Sequence, residues 1–289
     1  MEKMYGAQSM IAPLRRVLMR RPDEVFGSAD PQRWHYTAQP DLARAQAEHD
    51  ALAATLRMAG VEVLLHEAPQ PDRADSIFVF DPALVTDAGA IMLRMGKALR
   101  RGEEATMAQR FAELGIPIIG HLSGDALAEG GDLLWVDEQT LAVGLGFRTN
   151  QSGLEQLATL LTPLGVRVIP VELPYYTGPE ACLHLLSMIS IVDERRAVVY
   201  PPLLSVPFWQ ELERRGFSFV EVPESEFATQ GPNVLAIAPG QCLMLEGNPE
   251  TKRRLEAAGC EVLTYRGEEI SLKAEGGATC LTRPILRST

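Results

Sequence analysis

The chain has 289 residues, 46% hydrophobic and 22% charged, with a formal net charge of −11 and a pI of ≈ 5.0. That composition supplies a substantial core and excludes global disorder. The acidic balance argues against a nucleic-acid or anionic-membrane surface and is compatible with a cationic small-molecule substrate.

Residues 1–16 lack the apolar stretch of a signal peptide. No apolar run approaches the roughly 20 residues that span a bilayer. The chain therefore reads as cytoplasmic, with reduced thiols.

In chain order, the first elements are a strand at 17–19, a helix at 41–58 and a strand at 61–65, a set without a leading strand. A complete unit follows: strand 76–80, a turn at 86–89, strand 90–93, helix 103–114 and strand 116–119. The same order recurs as strand 132–136, strand 140–143, helix 153–164 and strand 166–169. It recurs again as strand 187–191, strand 197–200, helix 208–215 and strand 217–220. A fourth copy begins at Asn233, with strand 234–237, strand 242–245, helix 249–258 and strand 261–263. The last strand, 277–281, then supplies what the N-terminal set lacks. Apolar strands alternating with amphipathic helices indicate an α/β chain. A glycine follows each helix (Gly60, Gly115, Gly165, Gly216, Gly259), where the left-handed backbone costs only glycine little. Five similar units, the last closed by the first, predict a ring within one domain spanning 1–289. An ordinary doubly wound sheet would give the same local pattern.

Among the four cysteines, Cys182, Cys242 and Cys260 read as small buried hydrophobes. No pair has zinc-ligand spacing, and no metal or cofactor is called for. Cys280 differs, because it follows Gly276-Gly277-Ala278, where the backbone can approach a ligand closely. The nearby Arg283 is a cation that would favour a thiolate. His184 heads the third copy; His35, His49, His66 and His121 have no comparable placement. Glu129-Gly130-Gly131-Asp132 heads the second copy, and could equally be a turn with polar ends. Asp75 and Asp81 bracket the apolar run 76–80, where period-two alternation would point both to one face. Arg100 lies in a basic segment. Asp75, Glu129, His184 and Cys280 each open a unit, so all should reach the ring axis from one side.

These residues carry a resemblance that covers nearly the whole chain. Glu129-Gly-Gly-Asp132, Leu183-His-Leu185, Gly144-Leu-Gly-Phe-Arg-Thr-Asn150 and Gly276-Gly-Ala-Thr-Cys-Leu-Thr-Arg-Pro284 resemble, in this order, the guanidine-modifying pentein superfamily, closest to dimethylarginine dimethylaminohydrolase. The resemblance implies a five-fold pseudosymmetric α/β propeller. It implies Cys280 as nucleophile, His184 as acid/base and Glu129 as its orienting carboxylate. It also implies Asp81 as guanidinium anchor, Asp75 near the amino-acid part of the substrate, and Arg100 and Arg148 on its carboxylate. The implied reaction turns a (methylated) arginine into citrulline and an amine, with a small guanidino compound as partner, no nucleic acid or membrane, and room for a homodimer. Arginine deiminase, amidinotransferase and a non-catalytic pentein are the alternatives. Two positions depart from family patterns. Phe80 stands where the hydrolase has Glu, which would remove a carboxylate from the guanidinium site, and Leu186 stands where deiminases have Asp.

Overall fold

The computed structural model describes residues 3–288. Its strands are β1 (Leu14–Met19), β2 (Glu62–Leu65), β3 (Ala83–Thr86), β4 (Gly89–Met92), β5 (Ile118–His121), β6 (Leu133–Asp137), β7 (Thr140–Leu145) and β8 (Arg167–Glu172). They continue as β9 (Ile189–Asp193), β10 (Arg196–Val199), β11 (Ser218–Glu221), β12 (Leu235–Ala238), β13 (Gln241–Leu245), β14 (Glu261–Tyr265) and β15 (Arg283–Arg287). They form five three-stranded sheets, in the orders β3-β4-β5, β6-β7-β8, β9-β10-β11, β12-β13-β14 and β15-β1-β2. In each, the first two strands are antiparallel and the last two parallel. A helix makes every parallel crossover, as that connection requires. The helices are Leu42–Met58, Glu103–Glu113, Gln151–Leu161, Val206–Arg214 and Pro249–Ala257.

Each helix buries a pair of residues four apart on its sheet-facing side: Leu52 and Leu56, Met107 and Phe111, Leu157 and Leu161, Phe208 and Leu212, Thr251 and Leu255. That spacing is the apolar stripe of an amphipathic helix. The five glycines after the helices all have positive φ, between 71° and 91°.

Five apolar clusters close the ring, each shared by two consecutive units. Leu84 and Ile91 pack with Leu133 and Leu141. Leu134 packs with Ile189 and Val199, and Val192 and Val198 with Cys242 and Met244. Leu235 and Leu243 pack with Val17 and Met19, and Leu18 and Ile285 with Ala83 and Met92. An open doubly wound sheet would leave two edge units without such a neighbour. Among the described residues no helix is long and apolar enough to cross a membrane.

Two expected strands are displaced. Residues 76–80 are not a strand; a 3₁₀ turn spans Ala74–Ile77 and the strand begins at Ala83. Residues 277–281 are a turn, and the strand begins at Arg283. Both runs are apolar because they lie at the buried axis, and a short buried apolar run carries no period that marks it as a strand.

Candidate active site

The segment before the first strand of every unit faces the same side of the ring and supplies a polar side chain. Asp75, Asp81, Arg100, Arg148, His184 and Cys280 line one pocket, together with Lys97 and Phe78. Glu129 lies directly behind His184, fully buried.

Glycines make this crowding possible. A Cβ on Gly131 would stand 2.3 Å from His184 Nδ1, and one on Gly277 would stand 2.4 Å from the Asn233 side chain. The Glu-Gly-Gly-Asp segment can thus press its backbone against the imidazole. Asp132, its last residue, accepts from Leu185 N (3.0 Å) and Thr149 Oγ1 (2.7 Å), tying the second and third units together.

His184 Nε2 lies 2.7 Å from Glu129 Oε2. Glu129 also accepts from Lys97 N (2.8 Å) and faces Arg148 Nη1 at 3.4 Å. Burial would raise its pKa, but the His184 bond and the Arg148 charge prevail and hold it well below the usual carboxylate range. Burial would likewise lower His184, but Cys182, Asp132 and Glu129 hold the imidazole well above its ordinary value and so favour its charged form.

Cys280 sits in the turn before β15, half-buried, and its sulfur accepts from Asn233 Nδ2 at 3.5 Å. Burial, then the charges of Asp81 and Cys182, push its thiol up to about 12, against the lowering effect of His184. In the ligand-free site the surroundings thus favour a neutral thiol on Cys280 and the charged form of His184.

Asp81 Oδ1 accepts from Gly131 N (2.8 Å) and its Oδ2 pairs with Arg100 Nη1 (2.5 Å). Arg100 also binds Phe78 O and the buried Glu103, whose carboxyl burial pushes up to about 7. Asp75 accepts from Tyr36 OH (2.7 Å) and Lys97 Nζ (2.6 Å). Asp81, Glu129 and His184 offer ligand atoms within 4.8 Å of one another. A cation there would have to displace Arg100 from Asp81 and the imidazole from Glu129.

Five sequence readings need correction. Asp75 and Asp81 share the pocket, but through a turn and not through strand alternation. Cys182 is exposed, not a buried hydrophobe, and its sulfur lies 3.8 Å from His184 Nδ1. Arg283 does not serve Cys280; it stacks 3.6 Å over the Phe80 ring and donates to Phe80 O. Phe80 itself turns away from the pocket into a separate axial cavity, and Phe78 is the aromatic that faces the site. Position 80 therefore contributes no side chain to the wall of this pocket. Arg100, finally, does not lie in an exposed basic segment; it is buried, with its guanidinium held by Asp81, Glu103 and a carbonyl.

Other groups line the pocket or hold its residues without a motif to mark them: His35 and Lys97 in the wall, Asn233 on Cys280 and Tyr36 on Asp75. Asn233 opens the fourth unit, so its position was a usable signal. Lys97, Tyr36 and His35 come from connecting segments, where no repeat marks them.

The family model for N,N dimethylarginine dimethylhydrolase, eukaryotic, matches residues 30–287. The chain belongs to the dimethylarginine dimethylaminohydrolase family. The N(G),N(G)-dimethylarginine dimethylaminohydrolase of Streptomyces coelicolor is 32% identical over 272 residues, covering 93% of this chain and 96% of that protein. Among solved structures, the Pseudomonas aeruginosa dimethylarginine dimethylaminohydrolase complexed with citrulline aligns with a TM-score of 0.78 at 24% identity. It covers 94% of this chain and 99% of that one. The product-bound N-terminal domain of ArgZ, an arginine dihydrolase from cyanobacteria, aligns with a TM-score of 0.80 at 23% identity over 94% and 97%. At that identity the two structures speak for the fold, which is the five-unit propeller of this dimethylaminohydrolase-family chain. The family makes the chain an amidinohydrolase, acting on the guanidino group of arginine derivatives.

Proposed function

We propose that the chain hydrolyses Nω-methylated arginine to citrulline and a methylamine through a covalent bond to Cys280. The observation that carries the reading is the Glu129–His184 pair at 2.7 Å, an imidazolium sharing one pocket with Cys280 and Asp81.

A guanidinium is planar, delocalised and cationic, and its carbon is a poor electrophile. Asp81 anchors it. The arriving positive charge offsets the Asp81 charge that holds the Cys280 thiol up, so binding favours loss of the thiol proton to solvent and leaves the thiolate. The sulfur then adds to the guanidinium carbon. His184 passes its proton to the departing amine as the C–N bond breaks, leaving a thiouronium on Cys280. Neutral His184 next takes a proton from water, the oxygen adds to the same carbon, and the C–S bond breaks as the added hydroxyl's proton passes to the departing sulfur, releasing citrulline and restoring the Cys280 thiol. Glu129 orients the imidazole and stabilises its charged form throughout. No metal or cofactor takes part in this scheme.

The test is ureido-product formation from methylarginines, arginine and agmatine. Turnover of methylarginine by the native chain, and none by Cys280→Ser with unchanged circular dichroism, supports the reading. Turnover by Cys280→Ser would exclude the covalent route, and preference for arginine would make the chain a deiminase.

A further inference from the structure

A second cavity lies along the ring axis, beyond Phe80 and Thr279. The first strands of all five units contribute to its wall, and the N-terminal stretch 7–10 covers it. Its volume is ≈ 20 Å³, room for about one water-sized species. Two arginines, Arg283 and Arg287, line it, exposed by only 3% and 5%.

Neither arginine has a carboxylate partner among the described residues. Arg283 donates from Nη2 to Phe80 O at 2.6 Å, and Arg287 from its two terminal nitrogens to Ala12 O (2.7 Å) and Ala236 O (2.8 Å). The Nε of each is buried without any hydrogen-bond partner. Asp81 acts on Arg283 only at a distance, since Arg100 and Gly131 N already hold its oxygens. Two buried cations facing one small space, each with an unused donor, is an arrangement that a fold retains at high cost unless an anion compensates it. Burial lowers both guanidinium groups to about 9, and the nearby charge of Arg287 adds to the lowering at Arg283. Two hydroxyls add further donors. Ser9 Oγ accepts from Ile11 N and Ala12 N, which leaves its proton free, and Thr279 lines the same wall.

We propose that this axial cavity is a binding site for one small monovalent inorganic anion of chloride size, held between Arg283 and Arg287. So small a space favours a single halide over phosphate or an organic carboxylate. The anion pins β15 and the N-terminal stretch to the ring axis, and so braces the turn that carries Thr279 and Cys280.

The test is thermal unfolding with sodium chloride replacing sodium gluconate at constant ionic strength. The native chain should gain a saturating increase of about 2–5 °C at ten times the dissociation constant. Arg283→Met and Arg287→Met should lose that dependence. A native midpoint independent of chloride, or variants that keep the full response, would overturn the site. Should the variants not fold, crystals of the native chain in sodium bromide decide. An anomalous bromide peak between the two guanidinium groups supports the site, and a water or nothing there removes it.

Discussion

The exposed thiol of Cys182 lies 3.8 Å from Nδ1 of His184, on the opposite edge of the ring from Glu129. His184, the acid/base of the proposed reaction, is thus flanked on both sides, by a carboxylate that is buried and by a sulfur that solvent can reach. Cys182 raises the His184 pKa. Cys182→Ala should therefore lower it, so that the imidazolium is lost at a lower pH. In kcat against pH, the limb that requires the protonated imidazole should fall earlier, while turnover near neutrality persists because Glu129 still holds Nε2. A native profile in the variant would show that Cys182 has no electrostatic hold on the site.

Cys280 can then be read alone in the Cys182→Ala background. In the native chain its thiol is pushed up to about 12, and burial and Asp81, which both raise it, remain when Cys182 is removed, so alkylation by iodoacetamide should climb steeply, up to about tenfold per pH unit, from pH 7 upward. Asp81 is among the groups that hold the thiol up. Asp81→Asn removes that negative charge and leaves Arg100 less compensated. Both changes favour the thiolate, so alkylation at pH 8 should quicken even as turnover collapses for want of the guanidinium anchor. Slower alkylation in Asp81→Asn would reverse the assigned electrostatics.

The ring was legible in the sequence because its units repeat. Strand, strand, helix and strand recur with a glycine after each helix, and the split fifth unit is marked by an N-terminal set without a leading strand. The site residues Glu129, His184 and Cys280 were legible for the same reason, since each opens a unit. What the repeat cannot carry is the conformation between its elements. Residues 76–80 look like a strand because they are apolar, yet they coil at the axis, and that turns Phe78 rather than Phe80 into the pocket wall. Phe80 and Arg283 are neighbours of Asp81 and Cys280 in sequence but turn to the other side of the axis and stack on each other. Lys97 and Tyr36 come from connections, so only tertiary packing brings them to Asp75.

Lys97 neutralises Asp75 while its backbone N–H holds Glu129. Lys97→Met removes the side-chain charge and keeps the backbone donor. Because a hydrogen bond to a charged group contributes about 1.5–3 kcal/mol, KM for methylarginine should change by about tenfold or more. The value of kcat should stay within about threefold, since the Cys280–His184 chemistry is untouched. A large fall in kcat with KM constant would place Lys97 in the reaction itself.

Gly131 is the position where a single methyl group tests the geometry of His184. A Cβ there would sit 2.3 Å from Nδ1, so the imidazole must move. Displacements of about 1 Å cost on the order of 100-fold in rate, and Gly131→Ala should lose at least that in kcat/KM. Gly146→Ala is the control, because its Cβ would meet only Leu173, at 3.3 Å or beyond. Equal activity in the two variants would mean that the imidazole is not held against this backbone.

Substrate choice should be decided by Arg148. Arg100 has its guanidinium filled by Asp81, Glu103 and Phe78 O, whereas Arg148 makes only long contacts, 3.4 Å to Glu129 and 3.5 Å to Ala181 O. Arg148 is therefore the arginine with donors to offer an α-carboxylate. Charge-assisted pairs of that kind are roughly twice as strong as neutral ones, and 1.4 kcal/mol is a factor of ten. Agmatine, which is arginine without the carboxylate, should accordingly be worse than an α-amino-acid substrate by at least about tenfold in kcat/KM. Arg148→Ala weakens the support of Glu129 for every substrate alike, so its absolute rate is uninformative and the ratio of the two substrates is the measurement. That ratio should shrink toward one in the variant. If it is unchanged, the carboxylate is held elsewhere in the pocket; if native agmatine turnover already equals that of methylarginine, no residue of this chain reads the carboxylate at all.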